Sequence, residues 1–375
     1  MRRREPWYLF CGDLGFAEQC LLHDFGTNPS AVGQASLLWL FSHLGNWSVL
    51  EQLLQKQPSL LEQGDARAAL LHLRRHQGHS NPWLALLPAA EQKPFLDHWR
   101  HHLQQGLGIA VLMGGGLGDQ LEGLALLSRG EWLQRLELIF PPEAERALAP
   151  LLLAAPGTRQ PLLPPWRFGA PSAELPWLSL PALRAVLADA GHAPIPTPVF
   201  SQLRPPGIAE PMLLVCWRSK VDPSERFWAH LRSLPLAEIE GLYRWLLPWA
   251  AARGWQVADI TAYRPEERHR LGQLAGSQQL HLMAPNLGSL ADTALQAARA
   301  RLVITVDTAL IHLAHGLEAP RWLLLHRHPD PRWRERLLQD GGSDREGLRV
   351  LQQTIQGRWA EPLQQLRAGL EQLGA

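Results

Sequence analysis

Cysteine is scarce in this sequence: Cys11, Cys20 and Cys216 are the only three in 375 residues. No CxxC spacing links them, which argues against a structural zinc, and three thiols make no disulfide framework. A reducing compartment fits, so a cytoplasmic location is expected. Long apolar runs are missing as well. Nothing approaches about 18 uninterrupted apolar residues, so no membrane span is expected. The basic start Met1-Arg2-Arg3-Arg4 leads into an apolar stretch of only Trp7 to Phe10, too short for a secretory signal. Excess charge of either sign is absent, with 36 Lys plus Arg against 35 Asp plus Glu and a formal charge of +1. That balance argues against a dedicated nucleic-acid or anionic-membrane surface. Lysine occurs only at Lys56, Lys93 and Lys220. There is no DxD, so a metal-diphosphate site built on that motif is not expected, and there is no HExxH or G-x-S-x-G.

What is present is a folded chain, 46% hydrophobic and 19% charged, whose length suits two or three domains. Residues 1–105 read as helices only. Ala31 to Leu44 is apolar at helical spacing and stops at Gly45-Asn46. Trp47 to Gln57, Ser59 to His76 and Pro94 to Leu103 continue the pattern, which suggests stacked helical hairpins readable as degenerate repeats. At Gly106 the texture changes. Gly108 to Met113 is a short apolar run of the buried parallel kind, followed by Gly114-Gly115-Gly116-Leu117-Gly118-Asp119 and a helical Gln120 to Leu127. A strand at Leu136 to Phe140 and a helix at Glu143 to Leu153 complete a doubly wound opening. Pro156 to Pro211 is proline-dense, with a helical patch at Leu180 to Asp189, and Pro194 to Pro206 reads as an interdomain linker.

A second α/β pattern follows. Strands are predicted at Met212–Trp217, Gln256–Ile260, Leu280–Met283, Leu302–Val306, Trp322–Leu325 and Leu348–Gln353. Helices are predicted at Pro235–Arg253, Ser289–Arg299, Ala309–Gly316 and Ala360–Leu373. The expected architecture is therefore α/β: an all-α region (1–105), a short Rossmann-like domain (106–205) and a second Rossmann-like domain (206–375). The cleft between the last two is the default ligand site.

Three stretches could carry chemistry. The loop 114–119 ends a strand and opens a helix, and its glycines let a ligand approach the backbone. It is neither the dinucleotide fingerprint nor a P-loop: Asp119 stands where the third glycine would be, and no Gly-Lys-Ser/Thr follows. Asp119 suits a helix cap as well as a catalytic carboxylate. The second stretch, Cys216-Trp217-Arg218-Ser219-Lys220, places a hydroxyl and a lysine at the end of a strand. It could hold a phosphate or be a solvated loop. In the third, Asp307-Thr308 closes a strand and opens a helix bearing His312, and the positive end of that helix favours a phosphate. Asp307 could equally be a cap and His312 a packed core histidine. Ser289-Leu290-Ala291-Asp292 opens another helix, where Asp292 suits a cap or a ribose contact.

In order along the chain, Leu117–Leu127, Trp217–Leu236 and Ser289–Trp333 (with its paired Asp-Thr-Ala segments and closing Pro-Asp-x-x-Trp) resemble bacterial glycosyltransferases of the GT-B fold. The likeness is to those fused to tetratricopeptide repeats and, more distantly, to the heptosyltransferases. Pro176–Leu183 resembles the family's acceptor-domain stretch. The resemblance spans about residues 106 to 373.

It implies an inverting, metal-independent transfer from a nucleoside-diphosphate sugar, of hexosyl or heptosyl type, with no cofactor. In that reading Asp119 is the base, and Gly116 and Gly118 shape its loop. Ser219, Lys220, Thr308 and Ala309 hold the diphosphate. Asp307 and His312 hold the sugar, while Met283, Asn286, Asp292 and Thr293 face the nucleoside. The acceptor, a glycan, a lipid-linked saccharide or a protein, is not specified, and residues 1–105 could bind a protein partner. Two alternatives stay open: an inactive helical-repeat scaffold, and an epimerase-type sugar-nucleotide enzyme. The failed glycine fingerprint disfavours a nicotinamide dehydrogenase.

Overall fold

The computed structural model describes residue 9 and residues 14–128, 135–154, 163–172, 175–190, 198–204, 210–219, 226–330, 333 and 347–373. The first part is all helix: α1 (Leu14–Thr27), α2 (Ala31–Leu44), α3 (Trp47–Lys56), α4 (Gly64–His76) and α5 (Ala89–Gln104). Local signals set these limits. Ser30 caps α2 by accepting the Gly33 N–H, and Gly45 ends it in the left-handed region at φ 77°. Helix α2 packs against both α1 and α4. Leu21, Leu38, Leu50 and Ala66 fill this helical core. Short 3₁₀ turns that open at Pro58 and Pro82 interrupt the succession.

The first sheet contains β1 (Ile109–Leu112), β2 (Leu136–Phe140), β3 (Trp166–Phe168) and β4 (Trp177–Ser179) in the order β3-β2-β1-β4. Every pairing in it is parallel. Its helices are α6 (Leu117–Leu127), α7 (Glu145–Ala154) and α8 (Leu180–Asp189). The second sheet contains β5 (Glu210–Cys216), β6 (Gln256–Asp259), β7 (Leu280–Leu282), β8 (Ala300–Val306), β9 (Arg321–Leu325) and β10 (Leu348–Gln352). Their order is β10-β9-β8-β5-β6-β7, again all parallel. Counted from β5, that is the doubly wound order 6-5-4-1-2-3. The associated helices are α9 (Arg226–Leu231), α10 (Leu236–Ala251), α11 (Pro265–Gly272), α12 (Leu290–Arg299), α13 (Ala309–Gly316) and α14 (Ala360–Leu373).

The apolar pattern explains the layering. Alternate residues of β5 serve opposite faces: Leu213 and Val215 join α10 and α14, whereas Met212 and Leu214 join α12 and α13. The second of these cores continues without a break into the first sheet, taking in Val111, Leu124, Leu138 and Leu148. Both inner helical layers therefore meet, α6 against α13 and α7 against α12.

The strands lie where the apolar runs predict them. Strands β3 and β4 go beyond the sequence reading, because three-residue runs between prolines carry no usable periodicity. The two ends of the expected linker, residues 194–197 and 205–206, fall outside the described residues. Its middle is not a free tether. Val199 and Phe200 are buried, and the Phe200 N–H donates to the Gly316 carbonyl at 2.7 Å.

Candidate functional site

The glycine-led start of α6 and the threonine-led start of α13 pack against each other. A Cβ placed on Gly118, in the first turn of α6, would lie 3.2 Å from His312 Cδ2 and 3.7 Å from Ala309 Cα in α13. Glycine is what allows this approach. Of the expected residues, Gly118 is thus brought against Ala309 and His312, with Gly116 and Asp119 beside it at the start of α6.

Asp119 is placed differently from the N-cap considered above. Gly116 is the N-cap of α6, and Asp119 is the third helical residue. Its Oδ2 reaches back to accept the Gly116 N–H at 2.9 Å. Gly115 sits beside it at φ 84°, and a Cβ there would be 2.8 Å from the Asp119 carboxylate. The carboxylate is only partly buried.

Across from it, Thr308 is the N-cap of α13 and accepts the Leu310 N–H through Oγ1. Thr305 Oγ1 lies 3.0 Å from Thr308 Oγ1. Asp307, at the end of β8, is buried rather than capping. His312 is also buried, and its ring lies 5.4 Å from the Trp333 ring at an interplanar angle of 31°. The final tryptophan of the Pro-Asp-x-x-Trp segment thus backs the histidine, which is a physical reason for its place there.

The loop after β5 rests on a polar network that the sequence reading missed. Asp259, wholly buried at the end of β6, accepts from the hydroxyls of Tyr243 and Tyr263 and from the Thr261 N–H. Thr261 Oγ1 accepts the Trp217 N–H, and the Trp217 indole donates to Tyr243 Oη. Burial pushes the Asp259 carboxyl up, against the pull of its hydrogen bonds. Burial, followed by the Asp259 charge, pushes both tyrosines well up, so they act as donors at neutral pH. A signal was there: two of the chain's three tyrosines converge on one strand-end aspartate.

Arg218 lies over the Tyr263 ring and pairs with Glu267 at 2.9 Å. Burial alone would raise Glu267, but hydrogen bonds from the Arg264 N–H and the Arg218 guanidinium bring it below the usual carboxylate range. Ser219 is buried, and its N–H donates to Ser233 Oγ at 3.0 Å. Burial, then the Asp259 charge, drives the Cys216 thiol up to about 12, which makes it a packing group. Lys220 lies outside the described residues.

The nucleoside set divides. Met283 and Asn286 line a cavity of about 700 Å³ with Met212, Ala258, Leu282 and Arg299. Ser219, Asp307 and Thr308 do not line it. Asp292 Oδ2 receives the N–H groups of Gly288 and Ser289 and the Ser289 hydroxyl, while Ser289 Oγ accepts the Asp292 N–H. This is a complete capping box. Thr293 is buried and donates to the Ser289 carbonyl. Both residues are thereby engaged in starting α12. Among the described residues no group of three or more His, Cys, Asp or Glu could hold a metal ion. No described helix is long and apolar enough to cross a membrane.

Residues 240–334 match the family model described as glycosyltransferase family 9 (heptosyltransferase). No curated protein matches the chain. Several solved structures are similar in shape. The E. coli ADP-heptose lps heptosyltransferase II is 16% identical, with 72% of this chain and 100% of that one covered at a TM-score of 0.47. E. coli heptosyltransferase WaaC with ADP-2-deoxy-2-fluoro heptose is 14% identical, covering 71% and 100% at 0.42. The glycosyl transferase family 9 protein from Veillonella parvula is 9% identical, covering 72% and 97% at 0.44. The matched segment runs from α10 through α13 to Trp333, which takes in Asp259, the α12 and α13 helix starts and His312. Over residues 240–334, then, the second domain is similar to glycosyltransferase family 9 (heptosyltransferase) proteins.

Proposed function

We propose that the chain transfers a sugar from a nucleoside-diphosphate donor to an acceptor hydroxyl by direct displacement with inversion. One observation carries the reading: the Asp119 helix start and the Thr308-Ala309 helix start face each other at the Gly118–His312 contact. A donor whose diphosphate sits at the N-terminus of α13 would present its anomeric carbon toward the Asp119 side. The first N–H groups of α13 and the Thr308 hydroxyl would carry the charge of the leaving diphosphate, with Ser219 and Lys220 completing the set. This arrangement supplies that charge without a metal ion. Asp119 would take the acceptor proton. Its bond to the Gly116 N–H orients the carboxylate, and a carboxylate can accept more than one hydrogen, so that bond does not bar an acceptor hydroxyl. Asp307 and His312, buried at the same helix start, would bound the sugar. Met283 and Asn286 would border the base. The free thiols of Cys20 and Cys216 suit a reducing cytoplasm.

A second reading has one observation in its favour. Asp292 completes a capping box and Asp119 accepts the N-cap N–H of its own helix, which is all that an inactive scaffold would ask of them.

A thermal-shift panel of UDP, GDP, ADP and CMP, each with and without a linked sugar, separates the two. A ligand at a hundredfold excess over its Kd adds about 2.7 kcal/mol. A donor reading expects one nucleoside diphosphate to raise the melting temperature, with turnover that persists in EDTA. No shift with any of them supports the scaffold.

A further inference from the structure

The helical region touches both sheet domains. On the nucleotide side, Phe227 and Leu231 of α9 are part of the helical core. A Cβ on Gly45 would lie 2.2 Å from the His328 ring, so the end of α2 is pressed against the segment after β9. On the other side, Asn81 Nδ2 donates to the Ala185 carbonyl of α8 at 2.8 Å, and Arg100 of α5 pairs with Asp189.

Between these contacts runs one continuous polar stack. Asp330, in the nucleotide domain, pairs with Arg75 of α4 at 3.1 Å. The Arg75 guanidinium lies 4.8 Å from the centroid of the Trp83 ring. The Arg184 guanidinium of α8 also lies 4.8 Å from that ring. Arg184 in turn pairs with Glu122 at 3.3 Å. Glu122 belongs to α6, less than one turn beyond Asp119. Arg75, Arg184 and Asp330 are all nearly buried, between 4 and 9% exposed. Like charges held near a single ring need flanking carboxylates, and Asp330 and Glu122 supply one each. Cation–π and charge-assisted bonds are directional and strengthen as water is excluded.

We propose that Trp83 is a positioning residue: through Arg75–Asp330 on one side and Arg184–Glu122 on the other, it fixes the orientation of α6 against the nucleotide domain. The helical region then acts as an internal brace across the cleft. The consequence for transfer rests on the function proposed above, since α6 carries Asp119. The apolar core shared by α6, α7, α12 and α13 holds the two sheet domains together, and the stack adds the directional bonds that set the angle of α6 within that contact. A misplacement of about 1 Å at a reacting centre can cost about 100-fold in rate.

The test uses the full chain with nitroxide labels at Glu143→Cys in the first domain and Glu371→Cys in α14. Both glutamates are exposed. Cys11 and Cys20 are replaced by serine, and the buried Cys216 stays. Trp83→Leu keeps apolar bulk but removes the π face, whereas Trp83→Phe keeps a ring. The label-to-label distance distribution should be narrow in the parent, broad in the Leu variant and narrow again in the Phe variant. In parallel, turnover is followed with whichever of the UDP-, GDP- and ADP-linked hexoses the parent uses. The Leu variant should lose about 10- to 100-fold in kcat with donor KM little changed, and Phe should recover most of it. Should the Leu variant fail to fold, Arg184→Gln interrupts the same stack without touching the ring. A distance distribution as narrow in Trp83→Leu or Arg184→Gln as in the parent overturns the brace, whatever the activity. A parent without turnover counts against the transferase reading alone, because the distances still decide the brace.

Discussion

Acid should destabilise the folded chain, and His326 accounts for a defined part of the effect. This residue follows β9 and is fully buried. Burial, then the nearby charges of Arg232 and His328, bring its pKa down from 6.5 to about 3, with Asp330 opposing. His43 of α2 is lowered in the same way by burial and by His72. The folded chain therefore keeps these rings neutral, while the unfolded chain protonates them near pH 6.5. Their stabilising contribution is complete above pH 6.5 and is lost as pH falls below it, for His326 down to about 3. At pH 5, 1.5 units below the unfolded value, His326 alone accounts for about 2 kcal/mol. With a urea slope of about 2 kcal/mol/M, the unfolding midpoint drops by about 1 M. His43 adds to the loss. The check is urea denaturation at pH 7 and pH 5 for the parent and for His326→Gln, compared by the pH 7-to-5 difference rather than by absolute stability. The variant's difference should be smaller by about 2 kcal/mol. Equal acid sensitivity in both proteins would refute the reasoning, since other titrating groups are common to the two.

Other outcomes follow from single contacts. In Gly118→Ala the new methyl meets His312, whose ring is backed by Trp333. The helix preference for alanine, about 1 kcal/mol, should keep the melting temperature near the parent's, while transfer falls about tenfold as the two helix starts part. Full transfer by this variant would contradict the facing-helix geometry. Lys220→Ala should weaken nucleoside-diphosphate binding by about 1.5–3 kcal/mol and leave the ligand-free melting temperature nearly unchanged. Isothermal titration with the nucleotide found in the thermal-shift panel checks it, and unchanged affinity returns Lys220 to a solvated loop.

Much of the fold can be read in the chain because parallel strands buried on both faces are written as apolar runs. Leu302–Val306 and Leu136–Phe140 are such runs, and each is a strand. What stays hidden depends on contacts distant in sequence. Trp166–Phe168 becomes a strand only by pairing with β2. Asp259 acquires meaning only when Tyr243 and Tyr263, from α10 and the turn after β6, close on it. The helix starts at Asp119, Asp292 and Thr308 are visible in sequence because caps are local. Whether such a residue also serves a ligand is not local, and Asp292 illustrates the difference: its carboxylate is accounted for by Gly288 and Ser289. The stack through Trp83 joins residues up to 255 positions apart, and no periodicity could announce it.

The most direct test of the transferase reading is Asp119→Asn. An amide oxygen can still accept the Gly116 N–H, so the helix start and the fold should persist. The amide cannot take a proton at neutral pH. Transfer, or donor hydrolysis by water where no acceptor is at hand, is measured beside donor affinity. Affinity should be unchanged, and the rate should fall by about 10²–10⁴-fold. Transfer by the Asn variant at the parent's rate would contradict the catalytic role and leave the 114–119 loop as the start of a helix and nothing more.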